Sequence, residues 1–170
     1  MITGNIAGYS GDISRENIQS VLYTYNLERI PGWSTVREHL EAITPEVNRS
    51  RIDELVSTFG MGAFLDARFS KLSLGQQNRT NLVRYLLQEF DLLIMDESLA
   101  NVDEPTRQTI LYMIKSLFPK SYFLYISHNV VEVSQFCDQI VVFRSTDKRP
   151  RTVCIKGQDH HDGQALDKNA

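Results

Sequence analysis

Two largely apolar runs, each followed at once by ionisable residues, constrain most strongly what this chain can fold into. The first run, Leu92 to Met95, is followed by Asp96 and Glu97, and the second, Tyr122 to Ser127, by His128. Runs of this kind indicate strands buried on both faces, as in a parallel sheet. The carboxyl ends of neighbouring parallel strands meet at one edge of the sheet, where ligands of open α/β folds bind. We therefore expect the three ionisable side chains to lie together at that edge.

The segments around these runs favour a three-layer α/β domain with a mostly parallel sheet. Residues 104–118, between the two runs, repeat apolar positions at helical spacing. A short helix over 130–136 and a strand over 139–143 are predicted next. This alternation of strands and helices is typical of layered α/β folds. Upstream, the same patterns predict β-like pieces at Ile6–Tyr9 and Ile18–Tyr25, and helices over Thr35–Ile43, over Ser50–Phe59 and from Ser73 onwards.

The end of the chain is expected to carry less structure. From Ser145 the sequence turns polar, and residues 151–156 are predicted to add an edge strand. Beyond Gly157 we expect disorder. The adjacent His160 and His161 fit a polar tail better than a metal site.

Composition narrows the classes of protein. A net charge of −3 over 170 residues gives no general electrostatic reason to expect nucleic-acid binding. No apolar run approaches the roughly 18–20 residues of a membrane span, so any tie to a membrane must run through a partner. The two cysteines, Cys137 and Cys154, lack metal-site spacing. We expect them to be reduced, buried or half-buried thiols, which fits a cytosolic compartment.

The polar residues after the two apolar runs suit phosphoryl transfer, although purely structural roles remain open for them. Asp96 could hold Mg²⁺, usually through water, while Glu97 polarises an attacking water. A carboxylate pair after a strand can equally cap a helix or form ordinary surface charge. His128 could donate to a terminal phosphate, but a histidine at a strand end is more often structural.

A second candidate site lies in the sequence LSLGQQ, from Leu72 to Gln77. Ser73 is a suitable N-cap for the helix that follows, and a helix N-terminus offers free N–H groups and a partial positive charge. Gly75 lets the backbone approach a ligand closely. The segment can therefore bind an anion. A plain capped helix with no ligand is the alternative.

Taken together, these motifs resemble those of the ATP-binding domain of ABC transporters. The likeness covers the whole of LSLGQQNRTNLVRYLLQEFDLLIMDESLANVDEPTRQTI and reaches from about Thr3 to Phe143. Four motifs agree in order and spacing. They are the signature LSGGQ at Leu72–Gln76, the Walker B strand at Leu92–Glu97, the D-loop at Ser98–Asp103 and the switch histidine at His128.

The resemblance implies a role for each matched residue, with ATP and Mg²⁺ as cofactors. Asp96 would hold Mg²⁺ through water, Glu97 would be the general base, and His128 would sense the γ-phosphate. Asp103 would couple two nucleotide sites across a dimer. The signature residues that would face the γ-phosphate held by the opposite subunit are Ser73, Leu74, Gly75 and Gln76.

The sequence also departs from the family pattern. No GxxxxGK[ST] motif, the Walker A loop that cradles the β-phosphate, occurs in the 170 residues. We therefore expect an N-terminally truncated P-loop NTPase of the ABC type, without the first strand and the Walker A helix, that hydrolyses ATP negligibly alone. Tyr25 stands near the position of the family's Q-loop glutamine, and Gln19 comes too early to replace it. Leu74 replaces the middle glycine of the signature.

The expected organisation is a partial ABC ATPase domain over 1–143, with a helical subdomain at about 35–72, and an edge strand and polar tail over 144–170. The implied function is an ATP-hydrolysing subunit of an ABC transporter, cytoplasmic and peripheral at the inner face of the cell membrane. Its partners would be a second nucleotide-binding subunit and a transmembrane permease, with no nucleic acid. Two alternatives remain: a non-transport ABC ATPase, and a non-catalytic remnant that donates its signature to a partner cassette.

Overall fold

A three-stranded parallel sheet forms the centre of the computed structural model, which describes residues 14, 16–26 and 28–160. The strands are β1 (Val21–Tyr25), β2 (Leu92–Asp96) and β3 (Tyr122–Ile126) in the order β1-β2-β3. Each neighbouring pair is parallel. The parallel α/β fold expected from the sequence is therefore confirmed. The predicted piece at Ile6–Tyr9 lies outside the described residues.

β1 begins later than the sequence predicts. The backbone N–H groups of Gln19 and Ser20 donate to Asp91 Oδ2 at 2.7 and 2.8 Å, so this stretch bonds to a side chain. These two bonds lower the pKa of Asp91 below its ordinary value. The strand ladder consequently starts at Val21.

Five α-helices accompany the sheet among the described residues, and three short 3₁₀ turns join them. Thr35 and Ser73 each begin a helix with a reciprocal capping box, in which the cap and the third helical residue bond to one another. Asp103 and Asn129 each cap a helix by accepting the backbone N–H of the third helical residue. The helices are α1 (Val36–Ile43), α2 (Ile52–Thr58), α3 (Leu74–Leu86), α4 (Glu104–Leu117) and α5 (Val130–Phe136), and the turns are Glu46–Arg51, Gly62–Phe64 and Phe69–Lys71.

The hydrophobic core lies on one face of the sheet. Helices α3 and α4 contribute Leu82, Leu86, Ile110 and Ile114, all fully buried. They share a single cluster with side chains from the three strands and from α1, α2 and α5, so the helical segment and the sheet form one packed body. The strand residues in or against this cluster are Leu22, Leu93, Met95, Phe123 and Tyr125.

The opposite face of the sheet carries exposed aromatic and aliphatic side chains. Tyr23, Tyr122 and Leu124 are 39%, 60% and 40% exposed. The prediction that β3 is buried on both faces is therefore wrong, because the helices cover only the face that carries Phe123 and Tyr125. For β2 the prediction is confirmed: Ile94 is buried on the open face because it lies between two neighbouring strands.

The last two strands form a separate hairpin instead of extending the parallel sheet. β4 (Gln139–Phe143) pairs antiparallel with β5 (Thr152–Lys156). The expected edge strand at 151–156 therefore exists, but its partner is β4. Cys137 is half-buried and Cys154 is exposed, and both are free thiols, so the expected burial fails for Cys154.

The segment after the hairpin is held against α5. The N–H groups of Gly157, Gln158 and His160 donate to backbone carbonyl oxygens at 2.7–2.8 Å, and Lys115 Nζ pairs with Asp159 Oδ1. Disorder beyond Gly157 is therefore wrong for Gln158 to His160, because these bonds order the backbone. His161 and the residues after it lie outside the described part. None of the described helices is both long and apolar enough to cross a membrane.

Replacing a core leucine of α3 tests this packing. Leu86→Ala removes a fully buried side chain and is expected to lower the free energy of unfolding by about 2–5 kcal/mol. Leu74→Ala on the same helix is the control, since Leu74 is half exposed, and its effect should stay within about 0.5 kcal/mol. Urea titration measures both, and equal losses would contradict the assignment of the buried face.

Candidate functional site at the carboxyl edge of the sheet

The carboxyl ends of β2 and β3 bring Glu97 and His128 into contact. His128 Nε2 lies 2.9 Å from Glu97 Oε1. The backbone N–H of Glu97 donates to the carbonyl oxygen of Ile126 at 3.0 Å, so the pairing of the two strands continues into the site. The His128 side chain is 97% exposed and that of Glu97 36%. The pair therefore faces solvent, where a ligand can reach it.

Glu97 has a strained backbone. Its φ angle is +48°, in the left-handed region, where a non-glycine residue costs on the order of 1–2 kcal/mol. Two contacts hold the turn. The N–H of Ala100 donates to the Glu97 carbonyl oxygen at 2.9 Å, and the buried Ser98 Oγ donates to the Thr24 carbonyl oxygen at 3.0 Å. Strain of this kind concentrates at functional sites, which supports a functional role for this turn.

Asp96 ends β2 and is bonded to a tyrosine. Tyr23 donates its hydroxyl to Asp96 Oδ2 at 2.7 Å, and this bond raises the pKa of Tyr23 above its ordinary value. Tyr23 and Tyr25 stack with their ring centroids 5.7 Å apart. The carboxylate that the sequence assigns to a metal thus lies on the open face of the sheet, beside two aromatic rings.

The tip of α3 packs against the turn that follows Glu97. A β-carbon added to Gly75 would lie 2.4 Å from the carbonyl oxygen of Asn101, so only glycine fits there. The side chains of Ser73 and Gln76 are bonded within their capping box, at 3.3 and 2.9 Å. Leu74 is half exposed at the tip. The glycine predicted to approach a ligand closely therefore approaches the chain's own backbone.

Three asparagine side chains that the sequence analysis did not single out join these segments. Asn26 Oδ1 accepts from the side-chain amides of Asn78, at 2.9 Å, and Asn101, at 3.3 Å. The Asn78 amide also donates to the Ala100 carbonyl oxygen, and the Asn26 N–H donates to the Asp96 carbonyl oxygen at 3.1 Å. The amide-bearing residue at the end of β1 is thus Asn26, next to Tyr25. The position of Asn26 directly after a predicted strand is the sequence feature that could have identified it.

Asp103 caps α4 and carries a lowered pKa. Its Oδ1 accepts from the N–H of Thr106 at 3.0 Å. The bonds from Thr106 stabilise the charged carboxylate and lower its pKa, and the charge of Arg79 adds to the effect. Arg79 itself donates to the carbonyl oxygen of Phe59 at 2.9 Å. Asp103 therefore faces the α2–α3 region as well as its own helix.

Comparison with known proteins identifies the family of this chain. A family model described as "ABC transporter" matches residues 1–100, which is more than half of the chain. The chain belongs to the ABC transporter family.

Two relatives in this family are named as ATP-binding proteins. The chain is 38% identical over 95 residues to the zinc transport system ATP-binding protein TroB of Treponema pallidum. This match covers 55% of this chain and 36% of TroB. It is 41% identical over 126 residues to the molybdenum import ATP-binding protein ModC of Brucella suis. This match covers 71% of this chain and 35% of ModC. The matched part thus spans about a third of each relative's length.

A solved structure supports the ABC ATPase fold. The archaeal ribosome recycling factor aABCE1, in complex with the ribosomal stalk protein aP1, superposes with a TM-score of 0.73. The match covers 92% of this chain and 31% of that chain at 22% sequence identity. A likeness at this identity concerns the fold alone.

The described residues of this ABC family member fit part of a Mg²⁺–nucleotide site. They contain no group of three or more His, Cys, Asp or Glu side chains that could hold a metal ion by themselves. Magnesium usually takes one or two carboxylates and completes its shell with water and substrate phosphates, and Asp96 can supply such a carboxylate. The capped tip of α3 offers N–H groups to an anion.

The close approach at Gly75 predicts a specific sensitivity. Gly75→Ala must displace the α3 tip or the Asn101 backbone, and it is expected to lower the free energy of unfolding by about 1–3 kcal/mol. Gly62→Ala is the matched control, because an added β-carbon there meets nothing within 4 Å. Chemical denaturation measures both. An unchanged stability for Gly75→Ala would show that the tip does not pack against Asn101.

The lowered pKa of Asp103 predicts a pH dependence. A carboxylate whose folded pKa lies below its unfolded value stabilises the protein fully above about pH 4, and the contribution is lost as pH falls through the folded pKa. Asp103→Asn keeps a capping side chain that does not titrate. In urea titrations, the wild-type chain should lose stability relative to Asp103→Asn below about pH 4 and keep a constant difference above about pH 5. A constant difference throughout would contradict the capping role.

Proposed function

We propose that this chain is the ATP-binding and ATP-hydrolysing part of an ABC transporter subunit, which couples hydrolysis to membrane transport. The contact between Glu97 and His128 at the carboxyl edge of the sheet, directly after Asp96, carries the proposal. Phosphoryl transfer to water needs a proton acceptor, a donor to the phosphate and a metal-binding carboxylate side by side. The names of TroB and ModC support transport as the setting.

Each of the three residues has a defined task in this proposal. Glu97 accepts a proton from the attacking water, for which its solvent-facing carboxylate is placed. His128 donates from its exposed imidazole to a terminal phosphate oxygen. Asp96 would hold Mg²⁺, and the Tyr23 hydroxyl orients its carboxylate. Bound Mg²⁺–ATP supplies the electrophilic phosphorus and the leaving group.

The tip of α3 acts on a nucleotide held by a second nucleotide-binding subunit. Ser73, Leu74, Gly75 and Gln76 form this tip. The helix N-terminus carries partial positive charge, and the exposed Leu74 marks the tip as a surface another subunit can reach. Asp103, at the end of the turn that touches Gly75, couples the two sites in this proposal.

The remaining partner is a transmembrane permease, which sets the location of the subunit. Anchored through the permease, the chain works on the cytoplasmic side of the membrane. The proposed organisation keeps an ABC ATPase part at 1–143, a helical subdomain at about 35–72 that docks on the permease, and residues 144–170 as an appended segment. The transported substrate is read by the permease and not by these residues.

A second candidate function leaves hydrolysis to a complete partner cassette, to which this chain donates the exposed tip of α3. The two functions differ in which subunit supplies the general base for hydrolysis.

Glu97→Gln tests the proposed function. In the subunit purified with its permease, the change should lower ATP hydrolysis by about 10²–10⁴-fold while ATP binding persists, because only the general base is lost. Glu89→Gln, a change of an exposed carboxylate between α3 and β2, is the control and should leave hydrolysis unchanged.

The results separate the candidates. Unchanged hydrolysis in Glu97→Gln would remove the catalytic role of Glu97. If a change at Ser73 then abolished hydrolysis in the same complex, the chain would be a donor of the α3 tip to a catalytic partner.

A further inference from the structure

A buried carboxylate, Glu132, lies behind the two loops that carry the candidate site. It belongs to the first turn of α5, and its side chain is only 4% exposed. Its Oε1 accepts from the hydroxyl of Tyr125 on β3, and its Oε2 from Nε of Arg107 on α4. A buried carboxylate is costly unless paired, and here a charged and a neutral donor satisfy its two oxygens.

Glu132 reaches the His128 loop from both sides. Ser127 Oγ lies 3.4 Å from Glu132 Oε1 and accepts from the N–H of Asn129 at 3.1 Å. The N–H of Glu132 in turn donates to Asn129 Oδ1 at 3.2 Å. Both neighbours of His128 are thus tied to Glu132, although the imidazole itself is exposed. The loop is fixed at its base and free at its functional tip.

Arg107 extends the same connection to the turn after Glu97. Its Nη1 donates to the carbonyl oxygen of Val102 at 3.1 Å, while its Nε pairs with Glu132. The turn is short, because the N–H of Val102 donates to the Leu99 carbonyl oxygen at 3.2 Å. The planar guanidinium of Arg107 therefore joins the buried Glu132 carboxylate to the turn that begins at Glu97 and contacts the tip of α3.

We propose that Glu132 is a positioning residue that fixes the relative placement of His128 and Glu97. Through Tyr125 and Ser127 it sets the loop of His128, and through Arg107 it sets the turn that begins at Glu97. The consequence for ATP hydrolysis rests on the proposed function, whereas the placement of the two loops does not. Tyr125 has a raised pKa because of burial and its bond to Glu132, so its hydroxyl stays a donor at neutral pH.

Nuclear magnetic resonance of the 170-residue chain tests the placement without nucleotide. Glu132→Gln keeps the side-chain volume but turns one oxygen into a donor that faces another donor. We expect the backbone resonances of His128 and Val102 to shift together. Asp66→Asn is the matched control, because it breaks an exposed carboxylate pair to Nε of Arg37 at 2.8 Å, and it should leave both resonances in place.

Two further variants separate the branches and cover the case in which Glu132→Gln does not fold. Ser127→Ala removes only the loop contact and should shift His128 but not Val102. Arg107→Lys removes the bond to Val102 and should shift Val102 more than His128. Resonances of His128 and Val102 that stay at their wild-type positions in the folded variants would overturn the proposal.

Hydrolysis by the subunit with its permease gives the kinetic readout. Glu132→Gln should lower kcat at least tenfold and change KM for ATP less than threefold, because a displaced Glu97 impairs the chemical step and not binding. A wild-type kcat in Glu132→Gln, where Glu97→Gln abolishes hydrolysis, would overturn the positioning role. If Glu97→Gln itself retained hydrolysis, the proposed function would fail, and the resonances of His128 and Val102 alone would decide the placement.

Discussion

The parallel pairing of β2 with β3 is the constraint on which the candidate site depends. The register sets Asp96 beside Ile126, and the N–H of Glu97 continues the pairing with a bond to the Ile126 carbonyl oxygen. Glu97 follows Asp96 directly and His128 comes after Ile126 and Ser127, so their contact at 2.9 Å results from the strand register. A slip of one residue would turn every side chain of the strand to the other face and separate the pair.

Two carboxylate pairs of opposite character lie at this edge. Glu97 and His128 form an exposed pair, which contributes little to stability in water and can exchange its partner for a ligand. Glu132 and Arg107 form a buried pair, where losing either partner leaves an uncompensated charge. The exposed pair is suited to catalysis, and the buried pair is suited to fixing the positions of the two loops. His128, after β3, and Glu132, in α5, are close in sequence, whereas Glu97 follows β2 and Arg107 lies in α4.

The segments predicted to be the signature, the Walker B strand and the D-loop are joined by direct contacts. Gly75 packs on Asn101, Asn78 and Asn101 both bond to Asn26, and the Asn26 N–H bonds to the Asp96 carbonyl oxygen. Direct contacts therefore connect the tip of α3 to the end of β2. The same contacts connect the turn between Glu97 and Asp103 to the surface of α3 that is proposed to meet a second subunit.

Features that depend on near neighbours could be predicted from the amino-acid sequence. The apolar run of β2, the N-cap at Ser73 and the carboxylate pair after β2 follow from patterns a few residues long. The assembled fold was needed to show which face of β3 is covered, that β4 pairs with β5, and that Gly75 meets a carbonyl oxygen. The bonds of Asn26 to Asn78 and Asn101 span 52 and 75 residues. Local periodicity carries no information on such contacts, because they form only when the assembled sheet brings distant segments together.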